Sequence, residues 1–391
     1  MKYDFDQVVE RRGSGCLKWD TGDRDVLPMW VADMDFPAAK PILDALLRRV
    51  DHGIFGYSVP DESYLASLQD FFQRRHGWRP ERQWYSHCPG IVPALHFFAK
   101  AYLRPGEKVL MHSPVYYPFF GSVKKNQAEV SASPLLIKNG RYEVDFEDFA
   151  VRAGDPQVKL FYLCNPHNPG GRVWREAELR RMAEICIAND VIIVSDEIHC
   201  DLVYPGYRHI CLASLSPEIA NRTITCIAPS KTFNLAGFQT SCLFIPNPAM
   251  KKVYDDFLDT LGIMRPNAMG ITALTAAFRS GDEWLDQLMV YLSDNLAYLK
   301  EFLRDNLPEI SVMEPEATYL VWLDFSKTGI DCRLFHQLLL EKGRIWLDEG
   351  YMFGETGQGF ERINIACPRA TLREGLNRMK SALAEYRKER N

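Results

Sequence analysis

No two of the 10 cysteines in the 391-residue chain stand at CxxC spacing, and no Cys/His group has the spacing of a zinc site. A disulfide framework is not expected in a chain this long without an export signal. The cysteines therefore read as small buried thiols, and no metal site is expected. An excess of one charge is also missing. Lys and Arg number 46 against 51 Asp and Glu, a net charge of -5, which argues against nucleic acid or a membrane surface as the main partner. The opening "MKYDFDQVVERR" has no apolar stretch of the kind a signal peptide needs, and no apolar run reaches the ~20 residues of a membrane span. The expected location is the cytoplasm. Internal repeats, low-complexity tracts and long linkers are absent.

What is present is an ordinary globular composition, 47% hydrophobic and 25% charged. The length exceeds what one simple core holds, so a large and a smaller domain are expected. Short apolar runs at Lys108–His112, Val158–Cys164 and Val191–Ser195 read as buried strands. Between the last two, "REAELRRMAEICIAN" places Leu179, Met182, Ala183, Cys186 and Ile187 on one helical face. Strand, helix and strand at this spacing predict parallel pairing. The runs 224–227 and 243–245 extend the sheet. From about Asp282 the texture changes to a long amphipathic helix, followed by the strand-like "TYLVWLDF" and "ERINIAC" around a helical stretch near 334–340. The expected division is a large domain over 50–285 with a mostly parallel central sheet, and a smaller α+β domain from 1–49 and 286–391.

Polar groups cluster where these strands end. "NPHNPGG" follows the second run, "DEIH" the third, and "PSK" follows "TITCIA". Ligands of parallel α/β sheets bind at such carboxyl ends. Asp196 there would hold a positive ring nitrogen, Asn168 would donate to a phenolate-like oxygen, and Lys231 would condense with an aldehyde. In "CPGIVPAL", Gly90 precedes a helix whose first N–H groups would bind phosphate, and Pro93 fits that first turn. Phosphate, pyridinium, ring oxygen and aldehyde are the four handles of pyridoxal 5′-phosphate (PLP). Read singly, each residue has a duller use: Asp196 as a helix cap, Asn168 and Gly90 in turns, His199 as a core histidine, Arg362 in a salt bridge. Joint placement is what favours the site.

The ordered series "KWD", "LPMWVADMDFP", "GIFGYS", "RRHGW", "GIVPAL", "SPVYYPFF", "NPHNPGG", "SDEIHCDL", "SKTFNLAG", "TYLVWLD" and "RINIACP" resembles fold-type I PLP enzymes of the aspartate aminotransferase superfamily. More narrowly it is similar to the MalY/PatB group of cystathionine β-lyases, or carbon–sulfur lyases. The resemblance implies an α/β fold of the aspartate aminotransferase type. It implies that Lys231 carries the cofactor, Asp196 partners the pyridine nitrogen, and Asn168 serves the ring oxygen. His199 stands where transaminases usually have tyrosine. Tyr116 matches the residue stacked on the ring, and Tyr117 lies near the leaving group. Gly90, Ile91 and Val92 match the phosphate loop, helped by Ser230. Tyr57 matches a tyrosine that reaches the neighbouring subunit's cofactor phosphate, so a homodimer with sites at the subunit interface is implied. Arg362 matches the clamp on the substrate carboxylate, with the backbone of Val31 and Ala32 nearby. Two positions depart from the wider aminotransferase pattern. Ala228 replaces a phosphate-binding serine, and Gln239 replaces an arginine, which shifts weight to backbone donors and Tyr57.

The expected chemistry is α,β-elimination of cystathionine or another cysteine S-conjugate to a thiol, pyruvate and ammonia. An aminotransferase is the alternative. A third reading, a regulatory protein that binds a transcription factor, has no marked patch in this sequence.

Overall fold

The computed structural model describes residues 1–263 and 265–390. Eight strands form the main sheet: β1 (Tyr85–Cys88), β2 (Lys108–Ser113), β3 (Glu129–Lys138), β4 (Arg141–Val144), β5 (Val158–Cys164), β6 (Ile192–Asp196), β7 (Thr223–Ile227) and β8 (Ser241–Phe244). Their order across the sheet is β1-β8-β7-β6-β5-β2-β3-β4. The pairs β2–β3, β2–β5, β5–β6 and β6–β7 are parallel. The pairs β1–β8, β7–β8 and β3–β4 are antiparallel. Every residue of β7 is buried, as expected of a central strand covered on both faces.

The strand expected at 243–245 begins two residues earlier and runs against β7 rather than with it. The chain leaves β7, makes a compact excursion through the short helix Pro229–Thr232, and turns back at once. The link folds into a compact excursion instead of crossing the sheet face, so the return is antiparallel. The start of β8 therefore lies at the same sheet edge as the end of β7.

Helices follow the expected spacing. In chain order they include α1 (Lys40–His52), α2 (Glu62–His76), α3 (Ile91–Tyr102), α4 (Glu176–Ala188), α5 (Ala268–Ser280), α6 (Asp282–Asn306), α7 (Cys332–Glu341) and α8 (Arg369–Arg390). In α4, Leu179, Met182, Ala183 and Cys186 are buried, while Ile187 sits at the margin. In α6 the buried stripe runs from Trp284 through Leu285, Leu288, Leu292, Leu296, Leu299 and Leu303. One polar residue, Asn295, interrupts it. Its Nδ2 donates to the carbonyls of Ile365 and Cys367, each at 2.9 Å, and its Oδ1 accepts from Arg369 Nε, so the burial carries no unpaired amide.

A second sheet holds β9 (Ser311–Val312), β10 (Leu320–Asp324), β11 (Asp348–Glu349) and β12 (Phe360–Asn364), ordered β9-β10-β12-β11 and antiparallel throughout. The two strand-like runs expected there are β10 and β12, and they pair directly, Trp322 opposite Arg362. Near the chain's start, Leu27–Pro28 pairs in parallel with Ile345–Trp346. The largest apolar core draws on residues 5–78 and 273–383 together. It also includes Cys200, Leu202, Ile227 and Phe244, so the packing does not stop at the expected domain limits. Among the described residues, no helix is long and apolar enough to cross a membrane.

Candidate functional site

A cavity of about 310 Å³ opens at the carboxyl ends of β5, β6 and β7. It is lined by Asn168, Asp196, His199, Ser230 and Lys231, by Gly90, Ile91 and Val92, and by Tyr116 and Ala32. Ten of the residues anticipated from sequence therefore meet in one place. The turn into the antiparallel β8 and its first residue add Gln239, Thr240 and Ser241.

Lys231 lies in the short helix after β7, and its Nζ donates to the carbonyl of Ala32 at 2.8 Å. Burial lowers its pKa from 10.5 to about 8, outweighing the opposing pull of the Asp33 and Asp196 carboxylates. The amine is thus far easier to deprotonate than a surface lysine. Asp196 is the last residue of β6 and is buried. It does not cap a helix: its Oδ1 accepts from the Ile198 N–H at 3.2 Å within a turn. Burial raises this carboxyl to about 7, only partly offset by Ile198 and Lys231. A cationic partner facing Asp196 would restore its charge.

Asn168 is buried, and its Oδ1 accepts from Arg362 Nη1 at 3.0 Å. With the oxygen engaged, the Nδ2 end is the donor left for a ligand. His199 is buried, its Nδ1 has no partner, and burial lowers its pKa to about 3, with Lys231 and Arg362 adding to the effect. It is a neutral ring at any ordinary pH.

The opposite end of the cavity suits an anion. Gly90 caps the N-terminus of the 12-residue α3, whose first intrahelical bond runs from the Ala94 N–H to the Gly90 carbonyl at 3.0 Å. The N–H groups of Ile91 and Val92 precede that bond, and Pro93 has none to leave unpaired. Gln239, beside them, has φ +46°, a left-handed backbone that is uncommon outside glycine.

Arg362 lies just beyond the lining, buried in β12. Its Nη2 donates to the Trp30 carbonyl at 3.0 Å and pairs with Asp348, and its guanidinium stands 4.9 Å from the Phe353 ring. Tyr117 packs against Tyr116, ring centres 5.2 Å apart, and edge-on against Phe353 at 5.4 Å. Burial raises the Tyr117 phenol, with Asp348 adding to it, so the hydroxyl stays protonated. Val31 is not among the lining residues; its carbonyl accepts from Asn364 Nδ2 at 2.7 Å, in the loop that brings Ala32 to the cavity. Tyr57 is fully exposed and does not reach the cavity of its own chain.

Several contributors escaped the sequence reading. The loop 30–36 forms one wall and is held from two sides. Asn364 binds the carbonyls of Val31 and Asp33, and Asn234 binds the N–H and carbonyl of Met34 and the carbonyl of Phe36. Arg362 and Asn364 stand two apart on one strand face, a period-2 signal in "RIN" that pointed to this shared wall. Tyr319 Oη also donates to the Ala32 carbonyl at 3.0 Å. Behind the wall, buried Lys18 pairs with Asp35 at 2.9 Å, and Arg11 joins Asp33 and Asp35. Below the His199 turn, the fold gathers His76, Cys200 and Asp201 beside Glu197, His209 and Cys211, a grouping invisible in spacing. Their carboxylates are already engaged: Asp201 by His76 and Thr232, Glu197 by Ser195, His209 and the Leu212 N–H.

Comparison with known proteins gives a consistent picture. A family model described as aminotransferase class I and II matches residues 25–379. The cystathionine β-lyase PatB of Bacillus subtilis is 44% identical, covering 97% of this chain and 100% of its own. Protein MalY of Escherichia coli is 32% identical, covering 98% and 100%. The crystal structure of cystalysin from Treponema denticola, which contains pyridoxal 5′-phosphate, superposes with a TM-score of 0.96 at 35% identity, covering 99% of this chain and 100% of that one.

Proposed function

Since the chain belongs to the aminotransferase class I and II family, we propose that it is a PLP-dependent carbon–sulfur β-lyase acting on L-cystathionine or a related cysteine S-conjugate. The observation that carries the reading is the meeting of Lys231, Asp196, Asn168 and the α3 N-terminus in one cavity, with Arg362 tied to Asn168.

The residues present fit PLP. A buried carboxyl raised by burial asks for a cation, which the pyridinium of PLP would be. A lysine lowered to about 8 asks for an electrophile, which its aldehyde would be. The Ile91 and Val92 N–H groups suit its phosphate, and Ser230 lies on the same lining. Asn168 Nδ2 would serve the ring oxygen and Tyr116 the ring face. His199, uncharged, would border the ring without adding charge. When bound, PLP supplies an electron sink for the pair left at the substrate Cα.

The chain's own residues do the rest. Arg362 takes the substrate carboxylate, which fixes which bond at Cα is presented. Lys231 Nζ removes the Cα proton as general base. Asp196 keeps positive charge at the ring nitrogen. Tyr117, a protonated phenol next to Arg362, is placed to donate to the departing sulfur. Val31 and Ala32 shape the carboxylate end through their backbone.

The same reading places the protein in the cytoplasm as a homodimer. Ile54, Phe55, Tyr57 and Val59 stand exposed in one run, an apolar surface that a second copy would cover while its cavity gains Tyr57. It divides the chain into a large domain over 50–285, which contains the eight-stranded sheet, and a small domain from 1–49 and 286–391, which contains the four-stranded one.

The test is incubation of the PLP-loaded protein with L-cystathionine. Pyruvate and free thiol are expected in equal amounts. Their absence, together with conversion of the cofactor to its amine form by the amino acid and its return to the aldehyde form on adding a 2-oxo acid, would instead identify an aminotransferase.

A further inference from the structure

We propose that Asp348 is the positioning residue for substrate carboxylate recognition: it holds the Arg362 guanidinium in the orientation in which it meets a carboxylate. This rests on the reading of Arg362 as the carboxylate clamp. The donor count carries the argument. A guanidinium has five N–H hydrogens. Both on Nη2 are spent, one on Asp348 and one on the Trp30 carbonyl, and one on Nη1 goes to Asn168. One Nη1 hydrogen and the Nε hydrogen remain, on opposite edges of the guanidinium, and Nε is buried with no partner. A buried unpaired donor is unfavourable, so an arriving acceptor is bound partly by relieving it.

Of the three partners, Asp348 alone offers an anionic oxygen, and charge-assisted bonds are the strong ones. The two residues face each other across the β11–β12 pair, which sets the side chains side by side. Without Asp348, two neutral acceptors and the Phe353 face would be left to hold a long, flexible side chain. The groups around Asp348 are Glu349 on its own strand, Arg362 and Glu361 on β12, His336 on α7, and Tyr116 and Tyr117 from the cavity side. His336 lies 3.1 Å from Glu349 and 3.3 Å from Glu361, and the carboxyl groups of Glu361, Glu349 and Asp348 raise its pKa against the effect of burial. Burial lifts Asp348 to about 6, which makes its support titratable.

The experiment compares two ligands on PLP-loaded protein by visible absorbance. L-alanine carries a carboxylate and has no leaving group, and ethylamine lacks the carboxylate. In Asp348→Asn, the dissociation constant for L-alanine is expected to rise at least tenfold while that for ethylamine stays within twofold. In the unaltered protein, the ratio of the two affinities is expected to shift against L-alanine as the pH falls through about 6, and this arm does not depend on the variant folding. Equal weakening of both ligands, or a ratio flat from pH 5 to pH 8, would overturn the proposal. If no cysteine conjugate yields pyruvate, the β-lyase reading falls, yet the ligand comparison still decides the part played by Asp348.

Discussion

Lys231 shows what a single side chain gains from its surroundings. With a pKa near 8, roughly one amine in ten is neutral at pH 7, against a few in ten thousand for an ordinary lysine. The shift favours the neutral form, so reactivity appears at lower pH than usual. The rate at which the cofactor-free protein captures PLP should rise with pH and level off just above 8, read by the growth of visible absorbance. A rate still climbing at pH 10 would mean the amine is not enclosed as described. At this scale the sequence was legible wherever a residue sits at the end of an apolar run. Asn168, Asp196 and Lys231 each follow a strand, and strand ends in a parallel sheet converge. Asp348 and Asn234 were not legible. Their value comes from register and from loops folding back, which local patterns do not encode.

Elements were readable in proportion to their burial. The strands β2, β5, β6 and β7 are short apolar runs, and α4 and α6 show the helical period. What the pattern could not supply was direction. β8 reads as apolar either way, and the compact path of its connection, which no apolar pattern records, makes it antiparallel. That reversal matters, because it brings Thr240 to the cavity, where α5 presses on it from behind. A Cβ at Gly270, near the start of α5, would lie 1.8 Å from Thr240 Oγ1. Gly270→Ala should therefore push Thr240 into the space meant for a ligand. The expected result is a loss of about 1–3 kcal/mol of stability and weaker PLP retention, checked by thermal melting with and without cofactor. Melting that is unchanged in both states would show that the helix simply shifts away.

For the whole molecule, the telling residue is one that does not reach its own cavity. Tyr57 is fully exposed in the single chain and contributes nothing to its packing. Tyr57→Ala should leave the fold of each subunit intact, since Tyr57 packs against nothing in its own chain, as circular dichroism of the cofactor-free protein would show. It should also weaken PLP binding about tenfold, as loss of one hydrogen bond to a charged group would do. Equilibrium dialysis and sedimentation together check this. Unaltered affinity in a protein that sediments as a dimer would remove Tyr57 from the site. The fold as a whole was legible through many short motifs in fixed order. The shared core was not, because residues 5–78 and 273–383 are far apart in sequence and meet only in space.

The wall at residues 30–36 is held by Asn234 from the middle of the chain and by Asn364 from near its end. During synthesis the early segment must wait, unanchored on one side, until more than nine-tenths of the polypeptide has left the ribosome. A nascent chain stalled before that point would carry Lys231 and every donor of the anion pocket, yet hold the vitamin only loosely.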